Sequence, residues 1–274
     1  MLGSVSGSSF LSINCQTRSP PLLSYFETHL SSYLGLCSIF VGVHDNKILR
    51  EFEGHAGLVN EISMSPVDDA FLSSGLDGTV RLWDCGRSGN SFGELTLPAS
   101  VEGPPLAVFD STGLVFGVSA AIAGGEGHHV HLYDARNFTV GPFSEMKVLR
   151  SDIESKLRHS GITPESSKSE WTSMQFNLSG KQILIGTAGG TALTLDGYEG
   201  TVLHSFVSES TCFTADDRSI ICGNEDGTVS CYQADSGLLV RNLRGHVDRV
   251  GAVAVSPKYK QMATACRSTV VWLC

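Results

Sequence analysis

The chain has 274 residues, of which 41% are hydrophobic and 17% are charged, and it carries a formal net charge of −9 at pH 7. This composition excludes an intrinsically disordered chain and a coiled coil, and the negative charge argues against unaided binding to a nucleic-acid backbone, which requires clustered Lys and Arg. Glycine is enriched, with 30 residues scattered as turn punctuation, which predicts many short strands.

The first 35 residues are rich in serine and carry Arg18 and Glu27 as their only Arg, Lys, Asp or Glu. We expect this segment to be disordered or poorly packed. It lacks the basic start and apolar block of a secretory signal, and residues 30–43, the longest apolar stretch, are too short to span a membrane.

The eight cysteines contain no C-x-x-C pair and lie in apolar runs such as 220–222, which favours free thiols in a reducing compartment.

Residues 54–84 are predicted to form consecutive antiparallel strands. Two apolar runs, 58–64 and 70–75, are separated by Ser65-Pro66, and Asp77-Gly78 leads into the run 79–84. Each run has the length of a strand and is bounded by turn residues. Asp-Gly between two strands favours a tight hairpin, because both residues tolerate positive φ.

The same frame recurs four times downstream. From the residue before the first turn to the aromatic residue or Leu of the third strand, the spacing is 19 residues in three repeats, 24 in one and 17 in the last. The pairs are Met64 and Trp83, Phe109 and Tyr133, Phe176 and Leu195, Phe213 and Tyr232, and Val255 and Trp272. The glycine-rich insert 123–127 accounts for the spacing of 24. The regular spacing predicts one supersecondary unit repeated along the chain.

These residues resemble the WD-repeat family of β-propellers, whose Gly-His and Trp-Asp signatures bracket a repeat of four strands. The resemblance implies an all-β propeller. We count five full blades plus part of another, because residues 37–52 resemble the outer strands of a preceding blade, so the fold is expected to be incomplete relative to a seven-bladed one. Residues 36–274 are taken as a single propeller domain. A long charged loop at 141–170, with charges of alternating sign, predicts a short solvated helix.

The resemblance also implies a structural role for several polar residues. In the first repeat, His55, Ser73 or Ser74, Asp77 and Trp83 match the family positions that form a buried hydrogen-bond chain. Such a chain ties the entry loop of a blade to the turn between its second and third strands.

Fewer residues of this hydrogen-bond chain are present in the later repeats. His246 and Trp272 match it in the last repeat, where Arg267 stands near the position of the Asp. The middle repeats lack the Gly-His pair and have Tyr or Leu in place of Trp. We therefore expect the middle blades to depend more on apolar packing.

More specific strings resemble one branch of the family. The most specific is the Ser-Pro-Val-Asp-Asp at 65–69, and the others are 44–47 with 54–55, 63–64, 76–77, 80–84, 141–143, 170–172, and 263–266 followed by 272–273. This branch comprises the WD-repeat subunits shared by COMPASS-type histone H3 lysine methyltransferase complexes and a nuclear protein phosphatase 1 complex linked to transcription termination. The resemblance covers residues 37–274. It implies a nuclear, non-enzymatic scaffold that binds the methyltransferase catalytic subunit or the phosphatase-targeting subunit, as a monomer within a hetero-complex, without cofactor, direct nucleic-acid contact or membrane.

Two other functions remain open. The chain could be a substrate receptor of a cullin ubiquitin ligase, as many WD-repeat proteins are, or a truncated and weakly functional propeller with exposed strand edges. An enzyme is disfavoured, because no nucleophile elbow, P-loop or metalloprotease helix is present. The paired carboxylates at 68–69 and 216–217 are better explained as turn residues.

A metal site is also disfavoured. His129 and His131 would share one face of a strand while His128 points away, so the His-His-x-His string is interpreted as a loop running into a strand.

Surface cations are the remaining candidates for partner contacts, since Arg is enriched among the anchors of interfaces. For any single residue the alternative is an ordinary solvated charge. The main candidates are Lys47, Arg50, Arg81, Arg244 and Arg249, and Arg87, Arg136 and Arg241 belong to the same group.

Overall fold

The structure is a computed structural model that describes residues 28–33, 37–42, 48–87, 89–97, 101–256, 259 and 261–273. These residues form six antiparallel sheets that follow one another along the chain, and the strands of each sheet pair in chain order. Each of the five predicted repeats corresponds to one sheet, which confirms the all-β, propeller-type fold class.

The sheets have three or four strands each. The first contains β1 (Thr28–Tyr33), β2 (Cys37–Gly42) and β3 (Ile48–Glu53). The second contains β4 (Val59–Met64), β5 (Ala70–Gly75), β6 (Thr79–Asp84) and β7 (Gly93–Thr96). The third contains β8 (Val101–Phe109), β9 (Val115–Ile122), β10 (Gly127–Asp134) and β11 (Ser144–Leu149). The fourth contains β12 (Trp171–Phe176), β13 (Gln182–Thr187), β14 (Thr191–Asp196) and β15 (Val202–Val207). The fifth contains β16 (Ser210–Phe213), β17 (Ser219–Gly223), β18 (Thr228–Gln233) and β19 (Leu239–Arg244), and the sixth β20 (Ala252–Val255), β21 (Gln261–Ala265) and β22 (Thr269–Leu273).

The first sheet is larger than the sequence pattern indicated. Strands β2 and β3 correspond to the predicted outer strands of a preceding blade, and β1 pairs with β2 over its whole length. The start of the domain predicted at residue 36 therefore falls between β1 and β2, which belong to one sheet. Residues 1–27 of the serine-rich segment lie outside the described residues.

Neighbouring sheets pack face to face through the middle strands. Phe71 of β5 joins a buried cluster with Phe52 of the first sheet, whereas the next residue, Leu72, packs against Phe116 of the third. Successive residues of a strand point to opposite faces, so β5 is covered on both sides, and β13 is covered in the same way. This is why β5 and β13 are buried along almost their whole length, although β5 contains Ser73 and Ser74.

The charged connection 141–170 is more structured than predicted. Its first part is β11, the outer strand of the third sheet, and α1 (Arg150–His159) follows directly. The prediction of a short helix is confirmed, but the helix is not fully solvated. Ile153 and Leu157, four residues apart and therefore on one face, are buried in the core between the third and fourth sheets. No helix among the described residues is long and apolar enough to cross a bilayer.

The paired carboxylates at 216–217 organise turns. Asp217, at φ 60°, accepts the N–H groups of Leu178 and Ser179 at 2.6 and 2.7 Å, which joins the turns of the fourth and fifth sheets. Asp216 accepts the hydroxyl of Thr214 at 2.7 Å.

The glycines of two Asp-Gly hairpins differ in how closely neighbouring backbone approaches them, so substituting each of them tests the packing between sheets. Gly78 and Gly227 both have positive φ, +73° and +81°, but a Cβ on Gly78 would meet open space, whereas one on Gly227 would lie 2.6 Å from the carbonyl oxygen of His246. We expect Gly78→Ala to lower the free energy of unfolding by about 1 kcal/mol through backbone strain, and Gly227→Ala by about 1 kcal/mol more. Urea unfolding of both variants measures the difference, and equal losses would show that the fifth and sixth sheets do not pack closely there.

Candidate functional site

His55, Asp77 and His246 lie at one end of the sheets, which we call the loop face. It consists of the turns between second and third strands, at 76–78, 123–126, 188–190, 224–227 and 266–268, with the links 54–58 and 245–251. Turn and link are joined directly in the second sheet, where the N–H of Leu76 donates to the carbonyl of Leu58 at 2.8 Å.

The structure brings His55, Ser73, Asp77 and Trp83 together in one hydrogen-bond chain. The Trp83 indole N–H donates to Ser73 Oγ at 2.8 Å, and Ser73 Oγ lies 2.7 Å from His55 Nε2. His55 Nδ1 lies 3.1 Å from both carboxylate oxygens of Asp77. With His55 protonated at Nδ1, each O–H or N–H has an acceptor. Ser73, and not its neighbour Ser74, is the hydroxyl in the chain.

The charges in this chain are fixed by its surroundings. Burial lowers the pKa of His55, and the neighbouring Asp77 offsets only part of that effect. Burial alone would raise the pKa of Asp77, but hydrogen bonds from the Thr79 hydroxyl, the Ala56 and Thr79 N–H groups and His55 lower it to about 2. At neutral pH the hydrogen-bond chain therefore ends at the ionised carboxylate of Asp77. The hydrogen bonds of this carboxylate hold the link 54–58 against the turn 76–78.

The sixth sheet repeats the chain with different residues. The Trp272 N–H donates to Thr264 Oγ1 at 2.7 Å, and Thr264 Oγ1 lies 2.6 Å from His246 Nε2. His246 Nδ1 lies 3.1 Å from Cys266 Sγ, so Cys266 takes the place of the Asp. Arg267, which stood near that position in the sequence, instead pairs with Asp248 at 2.9 Å.

The sequence pattern missed Thr264 and Cys266. One signal could have found Thr264, because it follows His246 by 18 residues as Ser73 follows His55. Cys266 follows His246 by 20 residues, whereas Asp77 follows His55 by 22. Spacing in the sequence therefore did not identify Cys266 as the counterpart of Asp77.

Cys266 differs chemically from the buried cysteines. Hydrogen bonds from the N–H and hydroxyl of Ser268, with His246 adding to them, lower its pKa to about 7. Burial raises the pKa of Cys212 to about 12 and that of Cys222 to about 11. The thiolate is the nucleophilic form of cysteine, so these thiols should react at very different rates.

We therefore expect iodoacetamide to alkylate Cys266 before Cys85, Cys212, Cys222 and Cys231, with a rate that rises through about pH 7. Peptide mass spectrometry after timed labelling gives the rate for each cysteine, and Cys222 is the internal control. His246→Gln should move the midpoint of the rate profile upward. A profile centred near the ordinary thiol pKa in the unmodified chain would contradict the prediction.

Other contacts replace the His-containing chain in the middle sheets. Asn224 Nδ2 donates to Thr228 Oγ1 at 2.8 Å and to Ser230 Oγ at 2.7 Å in the fifth sheet, and Thr187 and Thr191 join hydroxyls at 2.7 Å in the fourth. Apolar clusters join the third sheet to the fourth and the fourth to the fifth, as expected for these blades.

The three histidines of the sequence string are separated. His129 and His131 have ring centroids 5.4 Å apart, while His128 is buried and stacks on Trp171 at 3.9 Å. Among the described residues, no group of three or more His, Cys, Asp or Glu could hold a metal ion.

The candidate partner contacts fall into two groups. Arg50 donates to the carbonyl of Cys85, and Arg81 pairs with Glu94 at 3.0 Å, so both have partners within the chain. Arg244, the last residue of β19, and Arg249, in the link 245–251, are both exposed, and Arg249 Nη1 lies 3.4 Å from Glu209 Oε2. Lys47 lies outside the described residues.

The secondary candidates are also at the surface. Arg136 and Arg241 are exposed, and Arg87 is exposed beside Asp84 at 3.3 Å.

Large apolar side chains are exposed on the loop face. Leu58 and Leu76 are about half exposed, on the link and the turn that hydrogen-bond to each other, and Val247 is fully exposed between Arg244 and Arg249. A face with exposed apolar groups and flanking arginines is suited to binding a protein surface.

Comparison with known proteins decides the family. The family model described as WD domain, G-beta repeat, matches residues 46–84, which include the polar chain of the second sheet. WD repeat-containing protein 82 of Drosophila melanogaster is 35% identical over 243 residues, which cover 85% of this chain and 69% of the relative. The chain belongs to the WD-repeat family.

Two further relatives of this WD-repeat chain have names that refer to complexes. COMPASS component SWD2 of Saccharomyces cerevisiae is 28% identical over 246 residues, 82% of this chain and 68% of the relative. Set1 complex component swd2 of Schizosaccharomyces pombe is 31% identical over 177 residues, 65% of this chain and 43% of the relative. The resemblance stated from the sequence, to the COMPASS branch of the WD-repeat family, is therefore confirmed.

Proposed function

We propose that this WD-repeat protein is a non-enzymatic scaffold subunit of a nuclear COMPASS- or Set1-type chromatin complex. The observation that carries the proposal is the similarity to two subunits named for these complexes, which in one case extends over 82% of the chain. A propeller-type fold supports a binding role, because its loops and edges offer surfaces to partners while the sheets keep them in place.

We place the principal partner on the loop face. Leu58 and Leu76 supply apolar area next to each other, and the link with Val247, Arg244 and Arg249 supplies further contacts. On this proposal the partner is the catalytic subunit of the methyltransferase. The phosphatase-targeting subunit of a termination complex would use the same face in a second assembly.

The test is affinity purification of the tagged chain from nuclear extract, followed by mass spectrometry. We expect methyltransferase-complex subunits to be recovered, and Leu58→Lys to reduce their recovery about ten-fold or more, because a charge replaces an apolar contact. Leu114→Lys is the matched control, since Leu114 is also about half exposed but lies in the turn between β8 and β9, at the other end of the sheet.

The outcomes separate the candidate functions. Recovery of a cullin adaptor without chromatin subunits would overturn the proposal in favour of a ubiquitin-ligase substrate receptor. Equal losses in both variants would place the partner elsewhere than the loop face. Phosphatase subunits alone would restrict the scaffold to the second assembly.

A further inference from the structure

A cavity opens on the loop face between the third and fourth sheets. Its volume is about 320 Å³, and its walls come from β8, β9, the turn 123–126, the start of α1 and the segment 167–171. It is at the lower end of the range for small-molecule sites, large enough for a small ligand or for one side chain of a peptide. Nothing in the proposed scaffold function uses it.

One wall of the cavity carries a cation without a counter-ion. Arg150 is partly buried, its Nε is buried without a hydrogen-bond partner, and none of the ion pairs in the described part of the chain includes it. Gly125 makes room for it, because a Cβ there would lie 3.0 Å from Arg150 Nη2. An unpaired, partly buried guanidinium is costly, and a bound anion would offset that cost.

A second unpartnered polar group lies in the same wall. His128 is 9% exposed, its Nδ1 is buried without a partner, and its ring stacks on Trp171 with an interplanar angle of 9°. Burial, with a contribution from the Arg150 charge, lowers the pKa of His128 to about 4, so the imidazole is neutral at pH 7. The site therefore offers one positive charge and a neutral hydrogen-bonding ring beside an indole.

The remaining charges select the kind of anion. Glu102 and Glu170 also line the cavity, and Lys168 is paired with Glu165 at 2.9 Å. With one unpaired cation and two carboxylates nearby, a monoanion is favoured over a dianion such as a phosphate monoester. The planar fork of an arginine matches a carboxylate in geometry as well as in charge.

The apolar walls indicate what the anion is attached to. Leu106, Ile122 and Trp171 line the cavity with Pro104 and two alanines. We infer that this cavity binds a carboxylate carried on an apolar stem, with Arg150 as its charge partner and the wall around Trp171 as the surface for the stem. The carboxylate can come from a free small acid or from an acidic side chain of a peptide.

The experiment is calorimetric titration of the full chain with matched pairs of probes at pH 7. Benzoate is compared with benzamide, and acetyl-Ala-Asp-Ala-amide with acetyl-Ala-Asn-Ala-amide. We expect at least one carboxylate to bind about ten-fold or more tightly than its amide, since the charge-assisted contact is lost in the amide. The pair that shows the difference identifies the source, and phenylphosphonate should bind more weakly than benzoate.

The variants tie the binding to the cavity. Arg150→Gln should abolish the preference for carboxylate over amide, and Arg150→Lys should retain part of it, because the charge remains and the fork is lost. Arg158→Gln, on the same helix but exposed and paired with Glu154, is the control and should bind as the unmodified chain does.

Two results would overturn the inference: equal binding of acid and amide in the unmodified chain, or a preference that survives Arg150→Gln. If Arg150→Gln does not fold, Arg150→Lys and quenching of tryptophan fluorescence by benzoate in the unmodified chain decide the question. Absence of both binding and quenching with every probe would also overturn it.

Discussion

Replacing Ser73 with alanine is expected to lower the free energy of unfolding by about 4 kcal/mol. Ser73 is completely buried, accepts the Trp83 N–H at 2.8 Å and lies 2.7 Å from His55 Nε2. Its removal leaves two buried polar groups without partners, and each unsatisfied group costs about 1–3 kcal/mol. Urea denaturation followed by tryptophan fluorescence measures the change in the midpoint.

The adjacent residue provides the matched control. Ser74 is equally buried, but its Oγ has no hydrogen-bond partner. Ser74→Ala removes a hydroxyl that was already unsatisfied, so we expect no loss of stability or a small gain. If the two substitutions destabilise the protein equally, the chain from Trp83 to Asp77 does not contribute to stability, and the loss reflects only the packing of β5.

Lowering the pH is expected to destabilise the protein through His128. Its pKa is about 4 in the folded chain, below the ordinary value of 6.5, because the ring is buried and near Arg150. The unfolded chain therefore binds the proton first as the pH falls. The free energy of unfolding is therefore unaffected by His128 above about pH 6.5, where the ring is neutral in both states. It falls progressively between about pH 6.5 and about pH 4, by about 3 kcal/mol for a pKa shift of this size.

His128→Phe isolates this contribution, since phenylalanine keeps an aromatic ring on Trp171 and cannot take up a proton. We expect the variant to lose about 3 kcal/mol less stability than the unmodified chain between pH 7 and pH 4. Denaturant unfolding at a series of pH values in this window provides the comparison. Parallel curves for the two proteins would mean that the charge on His128 is tolerated in the folded state.

The cysteines show where local sequence information was sufficient and where it was not. The apolar run 220–222 predicted that Cys222 is buried, and it is. Cys266 lies in the turn after β21 and takes the place of the Asp in the polar chain, because the last hairpin has a shorter turn than the hairpin of the second sheet. The length of the turn fixes the register of a hairpin, but which residue of the turn meets His246 depends on how the link 245–251 packs against it.

The connection 141–170 shows the same limit. Its alternating charges predicted a helix, and Ile153 and Leu157 are spaced for one buried face. The sequence did not indicate that residues 144–149 form the fourth strand of the third sheet, because only one face of this edge strand is buried and the apolar signal is correspondingly weak.

By itself, the sequence determined the repeated unit, because apolar runs of strand length, Asp-Gly turns and regular spacing are local features. The resemblance to the WD-repeat family then implied the propeller and the His55 chain. Only the tertiary structure decided how the units meet. It placed Thr264 and Cys266 beside His246, and it brought Arg150 to His128 and Trp171 at a cavity between two sheets. The reason is physical: contacts within a hairpin depend on neighbours in the chain, whereas contacts between sheets depend on the packing of side chains from separate repeats.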